Sequence, residues 1–269
     1  MIIRDVLRSA GIPRLDAEVL LAHVLGRPRS FILAHDGETL SSSDARMFQH
    51  LSLRRAKGEP IAYILKEREF FGRPFFVTPE VLIPRPATEG LVELTLEFLK
   101  NPKSMKKTLD TDIVGLAHVL RSGDWNTIVD VGTGSGCIAI TLALEGRHER
   151  MIAVDVSERA LRVAKENAKR HNVEHIECIQ ADGPTFVSML KEPFVIVSNP
   201  PYIPEETMLD STVSVYEPHA ALFAGPKGLD IIRPLATAAR NNSACRGMVL
   251  ELREDQSRFV EQEWTMDNG

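Results

Sequence analysis

Cysteine is scarce in this sequence of 269 residues, which holds Cys137, Cys178 and Cys245 and no CxxC pair. An odd number of widely spaced cysteines excludes a disulfide framework and is typical of reduced thiols in the cytoplasm, where we expect this protein to lie. The eight histidines form no HExxH or comparable pair. We therefore predict that the chain binds no metal.

Long apolar runs and an excess of positive charge are also missing. No apolar run reaches the roughly 18 residues of a membrane span, and the start, MIIRDVLRSAG, has too short an apolar stretch for a secretory signal. The net charge is −5, whereas broad binding to a phosphate backbone needs a basic face. We expect a monomer with no membrane partner and no direct nucleic-acid partner.

A small helical domain is predicted for residues 1–58. Apolar residues recur at helical spacing in RLDAEVLLAHVLG, and Gly26 is its predicted stop. The stretch SSSDARMFQHLSLRRAKG offers a serine cap, a helical run and a terminal glycine. The basic residues Arg54, Arg55 and Lys57 lie in its last turn, where cations suit the helix dipole. Docking onto RNA or an acidic partner is the alternative interpretation of that cluster.

A β-hairpin linker is predicted for residues 59–82. Ile61 to Leu65 and Pro74 to Val77 are strand-like, and Gly72 lies where the turn between them is expected.

An α/β domain is predicted for residues 83–269. We expect a helix from near Thr88, and a linker with one short helix over residues 101–124. From Asn126 onwards, short apolar runs alternate with helical patterns such as SERALRVAKENAKRH. The five runs are TIVDV, MIAVDV, IECIQ, FVIVS and GMVLEL. This alternation predicts a doubly wound parallel sheet, whose ligands bind beyond the carboxyl ends of the strands.

A glycine-rich loop follows the first of these strands, in DVGTGSGCIAI. Gly132, Gly134 and Gly136 lie between strand and helix, where a missing side chain lets the backbone approach a ligand. The second strand ends in Asp155, about where an acidic residue contacts ribose hydroxyls. Asp182 follows the third strand and is placed to contact an adenine edge. Together these residues predict a nucleoside-containing cofactor.

The spacing of the loop distinguishes between two cofactors. A dinucleotide site has the pattern G-x-G-x-x-G, with a pyrophosphate at the helix N-terminus. Here the pattern is G-x-G-x-G, and Cys137 occupies the place of the third glycine. This spacing, with Asp130 just before the loop, favours S-adenosylmethionine over NAD.

The fourth strand ends in SNPPY, and it should neighbour the first strand and face the reactive end of the cofactor. Consecutive prolines fix φ and remove two N–H donors, which makes the loop stiff. The Asn199 side-chain oxygen and the Pro200 carbonyl can accept both hydrogens of a planar NH₂ group. Tyr202 can lie against the face of that group. These residues predict methyl transfer to an NH₂ on adenine, on cytosine or on a glutamine amide, and the tetrapeptide does not choose among them.

The chain resembles the HemK family, the peptide chain release factor N5-glutamine methyltransferases. The resemblance covers about residues 10–255. It is carried by GEPIAYILKEREFFGRPFFVTPEVLIPRPATEGLVE, DVGTGSG, AVDVS, VSNPPYI and YEPHAALFAGPKGLDIIRPL. It implies the fold of a class I S-adenosylmethionine-dependent methyltransferase, a Rossmann-like doubly wound sheet behind a helical N-terminal domain and a β-hairpin linker.

The resemblance also implies a reaction and the residues that carry it. A methyl group would pass to the glutamine of the GGQ motif in class I release factors, which the N-terminal domain would dock. The residues implied for the cofactor are Gly132, Thr133, Gly134, Ser135, Gly136 and Asp155, to which the pattern adds Asp130, Asp182, Gly183 and Asn199. Those implied for holding the glutamine are Asn199, Pro200, Pro201 and Tyr202, with Asn199, Pro200 and Tyr202 as the catalytic group. A ribosomal-protein glutamine methyltransferase, a nucleic-acid amino-methyltransferase and a non-catalytic binding module are the alternatives.

The chain departs from the family pattern at several positions. Lys66 stands where a glycine is usual, Ala87 replaces an acidic residue, and Gly183 stands where the family often has an aromatic that packs on adenine. The family continues past the fifth strand with a helix and two antiparallel strands, whereas this sequence stops at MDNG after LREDQSRFVEQEW, and we expect the two strands to be missing. The fifth strand would then be an exposed edge carrying Met248 to Leu250, and we expect weak thermal stability.

Overall fold

The computed structural model describes residues 1–100, 116–120, 124–146 and 150–265. The chain forms two compact units, Met1–Glu67 with Leu209–Tyr216, and Arg68–Met208 with Glu217–Gly269. The α-helices are α1 (Ile3–Arg8), α2 (Arg14–Leu25), α3 (Arg29–Ala34), α4 (Ser42–Ala56), α5 (Ile61–Leu65), α6 (Pro86–Lys100), α7 (Cys137–Glu145), α8 (Glu158–Arg170), α9 (Gly183–Met189), α10 (Ser211–Ser214), α11 (Ile232–Asn241) and α12 (Glu254–Thr265). The strands are β1 (Glu67–Phe70), β2 (Arg73–Phe76), β3 (Leu116–Leu120), β4 (Thr127–Val131), β5 (Arg150–Asp155), β6 (Glu177–Gln180), β7 (Phe194–Ser198) and β8 (Cys245–Glu251).

The first unit is helical, and two of its helices, α2 and α4, begin and end close to where the sequence predicts. Gly26 follows α2 with φ 60°, a left-handed conformation that suits glycine. The Ser41 hydroxyl accepts a hydrogen bond from the Asp44 N–H and caps α4. The core of the unit is apolar and includes Ile3, Leu20, Leu21, Ile32, Phe48 and Leu51.

The basic cluster at the end of α4 is engaged within the unit. Arg54 pairs with Glu59, and Arg55 pairs with Asp16 at 2.6 Å. Both guanidinium groups are therefore partnered by carboxylates of the same unit. These pairs favour a structural role for the cluster over docking of RNA.

The predicted strand at Ile61–Leu65 is wrong, because these residues form the short helix α5. Pro60 precedes the helix, where a missing N–H costs nothing, and Ile64 packs into the core of the first unit. A short apolar run does not by itself distinguish a strand from a buried helix. The hairpin is real but starts later: β1 and β2 pair through a turn at Phe71 and Gly72, both with positive φ.

The second unit is built on one sheet with the strand order β3-β8-β7-β4-β5-β6. The strands from β4 to β8 are parallel, as the alternation of runs and helices predicts. Strand β7 lies beside β4, so the predicted neighbourhood of SNPPY and the glycine loop is confirmed.

The predicted open edge at β8 is wrong. Strand β3 pairs antiparallel with β8, with Val119 opposite Met248 and Ala117 opposite Leu250. Met248, Val249 and Leu250 are buried. The argument for weak thermal stability loses its basis. Residues 101–115 and 121–123 of the predicted linker lie outside the described residues, whereas 116–120 form this strand and no helix.

Alternate residues of the strands point to opposite faces of the sheet, which buries both. Ile128 of β4 packs with residues of α6, α7 and α8 on one face. Val129 and Val131 pack with residues of α9, α11 and α12 on the other face. A parallel sheet covered on both faces explains why these strands are continuous apolar runs.

Within the described part of the chain, the helices are too short or too polar to span a bilayer. The same residues contain no group of three or more His, Cys, Asp or Glu side chains that could hold a metal ion.

Candidate active site

A cavity of about 300 Å³ lies at the carboxyl ends of β4, β5 and β7 in the second unit. The chain order of the strands reverses between β4 and β7, and open α/β sheets bind ligands at such a point. The cavity is of a size found for ligand pockets, which start at about 300 Å³. The predicted site residues that line it are Gly132, Thr133, Gly134, Ser135, Asp155, Asp182, Gly183, Asn199 and Pro201. The predicted residues Asp130, Gly136, Pro200 and Tyr202 are not part of this lining.

The glycine loop turns sharply between β4 and α7. Gly132, Gly134 and Gly136 have φ values of 74°, 55° and 80°, a left-handed region that strongly favours glycine. A Cβ on Gly132 or Gly134 would meet no atom within 4 Å, so open space faces the backbone there. A Cβ on Gly136 would lie 3.0 Å from the Ile140 side chain and 3.2 Å from Ala164. The first two glycines therefore expose backbone, and the third lets α7 pack against α8.

Asp130 is fully buried beneath the loop. One of its oxygens, Oδ2, accepts hydrogen bonds from the Thr133 hydroxyl at 2.7 Å and the Ala139 N–H at 3.2 Å. The other, Oδ1, has no partner among the residues described. Burial raises the pKa of Asp130 to about 7, against the opposing effect of these two hydrogen bonds. Asp130 thus holds the loop from below.

Asp155 ends β5 and faces the cavity. Its two oxygens accept from the Gly134 N–H at 3.0 Å and the Ser157 N–H at 2.9 Å. Each carboxylate oxygen has two lone pairs, so acceptor sites remain for the hydroxyl groups of a ligand. The carboxylate is therefore oriented by the loop and is still able to bind.

Asp182 and Gly183 form the next part of the wall. Oδ2 of Asp182 accepts from the N–H and the hydroxyl of Thr185 and caps α9. A Cβ on Gly183 would lie 2.4 Å from Cγ1 of Val131. A side chain at this position could not enter unless Val131 moved, so the small Val131–Gly183 contact requires glycine in this chain.

The SNPPY loop closes the side of the cavity next to β4. The Asn199 side chain donates through Nδ2 to Thr88 Oγ1 at 3.0 Å. Tyr202 is not among the residues that line the cavity, and its hydroxyl donates to Glu251 Oε1 at 3.1 Å. The backbone oxygen of Tyr202 accepts from Gln256 Nε2 at 3.0 Å. The loop is therefore held on both sides by groups of α6, β8 and α12.

Residues of the segments IPRP and EPHAAL form another part of the cavity wall. Buried Glu217 accepts from the Ile83 N–H at 3.0 Å and pairs with Arg85. Residues of both segments line the cavity: Pro84, Arg85, Pro218, Ala220 and Ala221. The resemblance singled out both segments, but sequence reasoning gave neither a role. The structure shows that one carboxylate joins them.

Sequence reasoning missed three further groups around the site. Thr88 lines the cavity, and Glu251 is buried at the end of β8. Asn167 of α8 donates to the Ser135 carbonyl at 2.8 Å. Glu251 could have been predicted as a site residue from the sequence. It lies near the end of the apolar run GMVLEL, and a carboxylate is expensive to bury unless it has a partner or a function.

The chain is similar to known methyltransferases in sequence and fold. Residues 3–65 match the PrmC N-terminal domain, and residues 104–217 match the methyltransferase small domain. The catalytic domain of hMettl16 in complex with MAT2A 3'UTR hairpin 1 shares the fold, with a TM-score of 0.56 and 12% sequence identity over 92% of this chain and 83% of that one. The second unit thus has the fold of a methyltransferase.

Relatives in sequence define the family more narrowly. Release factor glutamine methyltransferase of Chlorobaculum tepidum is 42% identical over 84% of this chain and 74% of its own. The enzyme of the same name from Bordetella pertussis is 36% identical over 88% of this chain and 80% of its own. A bifunctional methyltransferase of Rickettsia typhi is 37% identical over 95% of this chain, which spans 50% of that protein. The chain belongs to the release factor glutamine methyltransferase family.

Proposed function

We propose that this protein transfers a methyl group from S-adenosylmethionine to the side-chain amide nitrogen of the glutamine in the GGQ motif of class I release factors, in the cytoplasm. The observation that carries the proposal is the position of Asn199. Asn199 lies on the wall of the same cavity that the exposed glycine loop and Asp155 line. Family membership supplies the identity of the acceptor.

The residues of the cavity fit S-adenosylmethionine. The open space in front of Gly132 and Gly134 admits a ligand against bare backbone. Asp155 keeps free lone pairs for two ribose hydroxyls, as argued above. Asp182 also lines the cavity, and its Oδ1, which has no hydrogen-bond partner among the described residues, suits an amino group of adenine. When bound, this cofactor supplies an electrophilic methyl group on a sulfonium centre.

The chain's own contribution is to hold the acceptor amide. Because Asn199 gives its NH₂ to Thr88, its Oδ1 is the atom left to accept a hydrogen from an amide NH₂ in the cavity. We assign the Pro200 carbonyl as the second acceptor, with Pro201 and Tyr202 keeping the loop stiff. An amide nitrogen is a poor nucleophile, so we expect catalysis to come mainly from its orientation towards the methyl group. Good orientation can lower the activation barrier by about 7–11 kcal/mol. The proton lost after transfer leaves a strongly acidic methylated amide and needs no dedicated base.

The test is transfer of labelled methyl to a panel of acceptors. The panel holds a folded class I release factor, its GGQ→GGA variant, ribosomal protein, and duplex and single-stranded DNA. We expect label on the wild-type factor and none on the GGA variant. Label on DNA alone or on ribosomal protein alone would identify that molecule, and not the release factor, as the acceptor. Binding of S-adenosylmethionine with no label on any acceptor would favour a binding module.

Asn199→Ala tests the role of the amide in the same assay. We expect turnover to fall by about 100-fold or more, as when a preorganised hydrogen-bonding group is removed from an active site. Affinity for S-adenosylmethionine, measured by calorimetry, should stay close to wild type. Asn241→Ala, at the exposed end of α11, is the matched control and should change neither quantity. Equal losses of turnover and cofactor affinity would assign Asn199 to the cofactor or to the fold.

A further inference from the structure

The two prolines of the SNPPY loop deprive it of backbone donors. Pro200 and Pro201 have no N–H, so the backbone at these positions can be hydrogen-bonded only through carbonyl oxygens. At the end of the loop, the carbonyl oxygen of Tyr202 accepts a hydrogen bond from Nε2 of Gln256 at 3.0 Å. Gln256 belongs to α12, 54 positions later in the chain, and its side chain is buried. The loop is therefore anchored by a side chain from a distant helix.

The same amide of Gln256 holds a second segment. Nε2 also donates to the carbonyl oxygens of Lys227 and Gly228, both at 3.1 Å. These residues belong to AGPKGLD, part of a segment that carries the family resemblance, and the Gly228 N–H closes a turn on the Gly225 carbonyl at 3.2 Å. An NH₂ group has two hydrogens, which the three carbonyl oxygens share. One side chain thus joins the SNPPY loop to the turn in AGPKGLD.

The orientation of the Gln256 amide is fixed at both ends. Its Oε1 accepts from the N–H of Arg253 at 3.0 Å, immediately before α12 begins, as the glutamine of a capping box does. Carbonyl oxygens only accept, so the NH₂ is the end that must face them. A glutamate would keep the bond to Arg253 but would turn an oxygen towards the three carbonyls. The position therefore requires an amide.

Gly228 brings the turn into direct contact with the loop. It has φ 67°, and a Cβ there would lie 2.1 Å from the Tyr202 carbonyl oxygen and 2.7 Å from Nε2 of Gln256. The left-handed conformation and the lack of space both require glycine. The absence of a side chain at Gly228 is thus what allows Gln256 to reach both backbones.

The backbone after Tyr202 continues along the segment that leads into the turn. The Ile203 N–H donates to the Leu222 carbonyl, and the Ala224 N–H donates to the Ile203 carbonyl, both at 3.0 Å. The Glu205 N–H donates to the Gly225 carbonyl at 3.1 Å. These bonds make one block of the two segments. Gln256 joins the prolines to that block.

We propose that Gln256 is a positioning residue for methyl transfer, which sets the place of the Pro200 carbonyl by holding the Tyr202 carbonyl. Prolines fix φ at two neighbouring positions, so a displacement at Tyr202 is passed back along the loop towards Asn199. This inference rests on the proposed function, because it assumes that the Pro200 carbonyl and Asn199 Oδ1 accept the hydrogens of the substrate amide. Gln256 is not among the described residues that line the cavity, so it acts through the loop.

Gln256→Glu is the central test, because glutamate has the same shape and can still accept from the Arg253 N–H. It has no NH₂ to donate and places an oxygen against the Tyr202 carbonyl. We expect kcat to fall by about 100-fold, the loss that a displacement of about 1 Å can cause. KM for the release factor and affinity for S-adenosylmethionine should stay close to wild type, because the glycine loop and Asp155 are untouched. Glu254→Gln, exposed at the start of the same helix, exchanges the same two groups and is the matched control.

Gln256→Met is the second variant, since it keeps the length of the side chain without a charge and removes both donor and acceptor. We expect the same loss of kcat with cofactor affinity retained, so the test stands if the buried carboxylate of Gln256→Glu prevents folding. A wild-type kcat in either folded variant would overturn the inference and leave Gln256 only the capping of α12. Parallel losses of kcat and cofactor affinity in Gln256→Met would also overturn it, because they would show a general structural role.

A measurement without turnover keeps this test separate from the proposed function. Exchange of backbone amide hydrogens, resolved by residue with NMR, reports the hold on the loop directly. We expect the N–H groups of Ile203 and Glu205 to exchange faster in Gln256→Glu and Gln256→Met than in the wild type. Unchanged exchange in both variants would refute the inference even if the release factor is methylated. Faster exchange would support it even if another acceptor in the panel takes the label, and kcat would then be compared with that acceptor.

Discussion

The side-chain nitrogen of Asn167 lies 2.8 Å from the carbonyl oxygen of Ser135, inside the glycine loop. The same side chain also donates to the Phe76 carbonyl at 2.8 Å and accepts from the Phe76 N–H at 2.7 Å. One buried amide of α8 therefore fixes the glycine loop and strand β2 at the same time. The shape of the cavity depends on a residue that does not line it.

Asn167→Ala should be strongly destabilising because it leaves one buried and two partly buried backbone groups without their partner. Each such group costs about 1–3 kcal/mol, so we expect a loss of roughly 3 kcal/mol or more in the free energy of unfolding. Denaturant unfolding of the wild type and the variant measures it. Lys169→Ala, exposed on the same helix, is the control and should stay within about 0.5 kcal/mol. A small loss in Asn167→Ala would mean that water replaces the amide.

Sequence alone predicts the central sheet and the position of the site. The runs that became β4, β5 and β7 are apolar throughout because both faces of the sheet are covered, and the residues that end them lie at one edge by topology. Local sequence patterns do not predict the pairing of a strand whose partner lies far along the chain. Nothing in the residues near β8 shows that Leu116–Leu120 pairs with it.

The site shows the same division between local and distant information. Residue type and spacing alone predict the roles of the glycine loop, Asp155 and Asn199. They do not predict the orientation of the Asn199 side chain, because that depends on a hydrogen bond with Thr88, 111 positions earlier in the chain. Glu217 and Ile83 are 134 positions apart, and their hydrogen bond joins two motifs that the sequence presents separately.

Lys66→Gly should stabilise the first unit. Lys66 follows α5 with φ 58°, a left-handed conformation that costs a residue with a Cβ about 1–2 kcal/mol. Glycine removes that cost and adds some entropy to the unfolded chain, so we expect a net gain of about 0.5–1 kcal/mol, read as a higher melting temperature. Lys57→Gly is the control, since Lys57 has φ −82° and gains nothing from glycine. Equal effects of the two changes would contradict this explanation.

Gly183→Ala should be destabilising through a clash with Val131, whose Cγ1 would lie 2.4 Å from the new Cβ. Overpacking of this kind typically costs about 1–3 kcal/mol. In a Val131→Ala background the space is available, so the same change should cost much less. The double-mutant cycle, measured by unfolding without ligand, gives the coupling between the two positions. Simple additivity of the two changes would show that the clash is relieved elsewhere.

Asp130 should make the stability of the second unit depend on pH. Its pKa is about 7 in the folded protein against 3.8 in the unfolded chain, so the folded state holds a proton that the unfolded state releases. The resulting stabilisation is fully present below about pH 4 and is lost as the pH rises through about 7, at up to roughly 1.4 kcal/mol per pH unit. Asp130→Asn cannot lose a proton there. We expect the unfolding free energy of the wild type to fall relative to this variant between about pH 5 and pH 8.

Glu177→Gln is the control for this measurement, because the pKa of Glu177 is shifted in the opposite direction. The hydrogen bond from Arg150 lowers the pKa of Glu177, so its contribution to stability is present above the ordinary range of a glutamate and is lost only as the pH falls. The difference between Glu177→Gln and the wild type should therefore stay constant over the same interval of pH. If the difference between Asp130→Asn and the wild type were equally constant, Asp130 would be ionised in the folded protein throughout that interval. Its unpaired oxygen would then need a partner, such as a bound water, beneath the glycine loop.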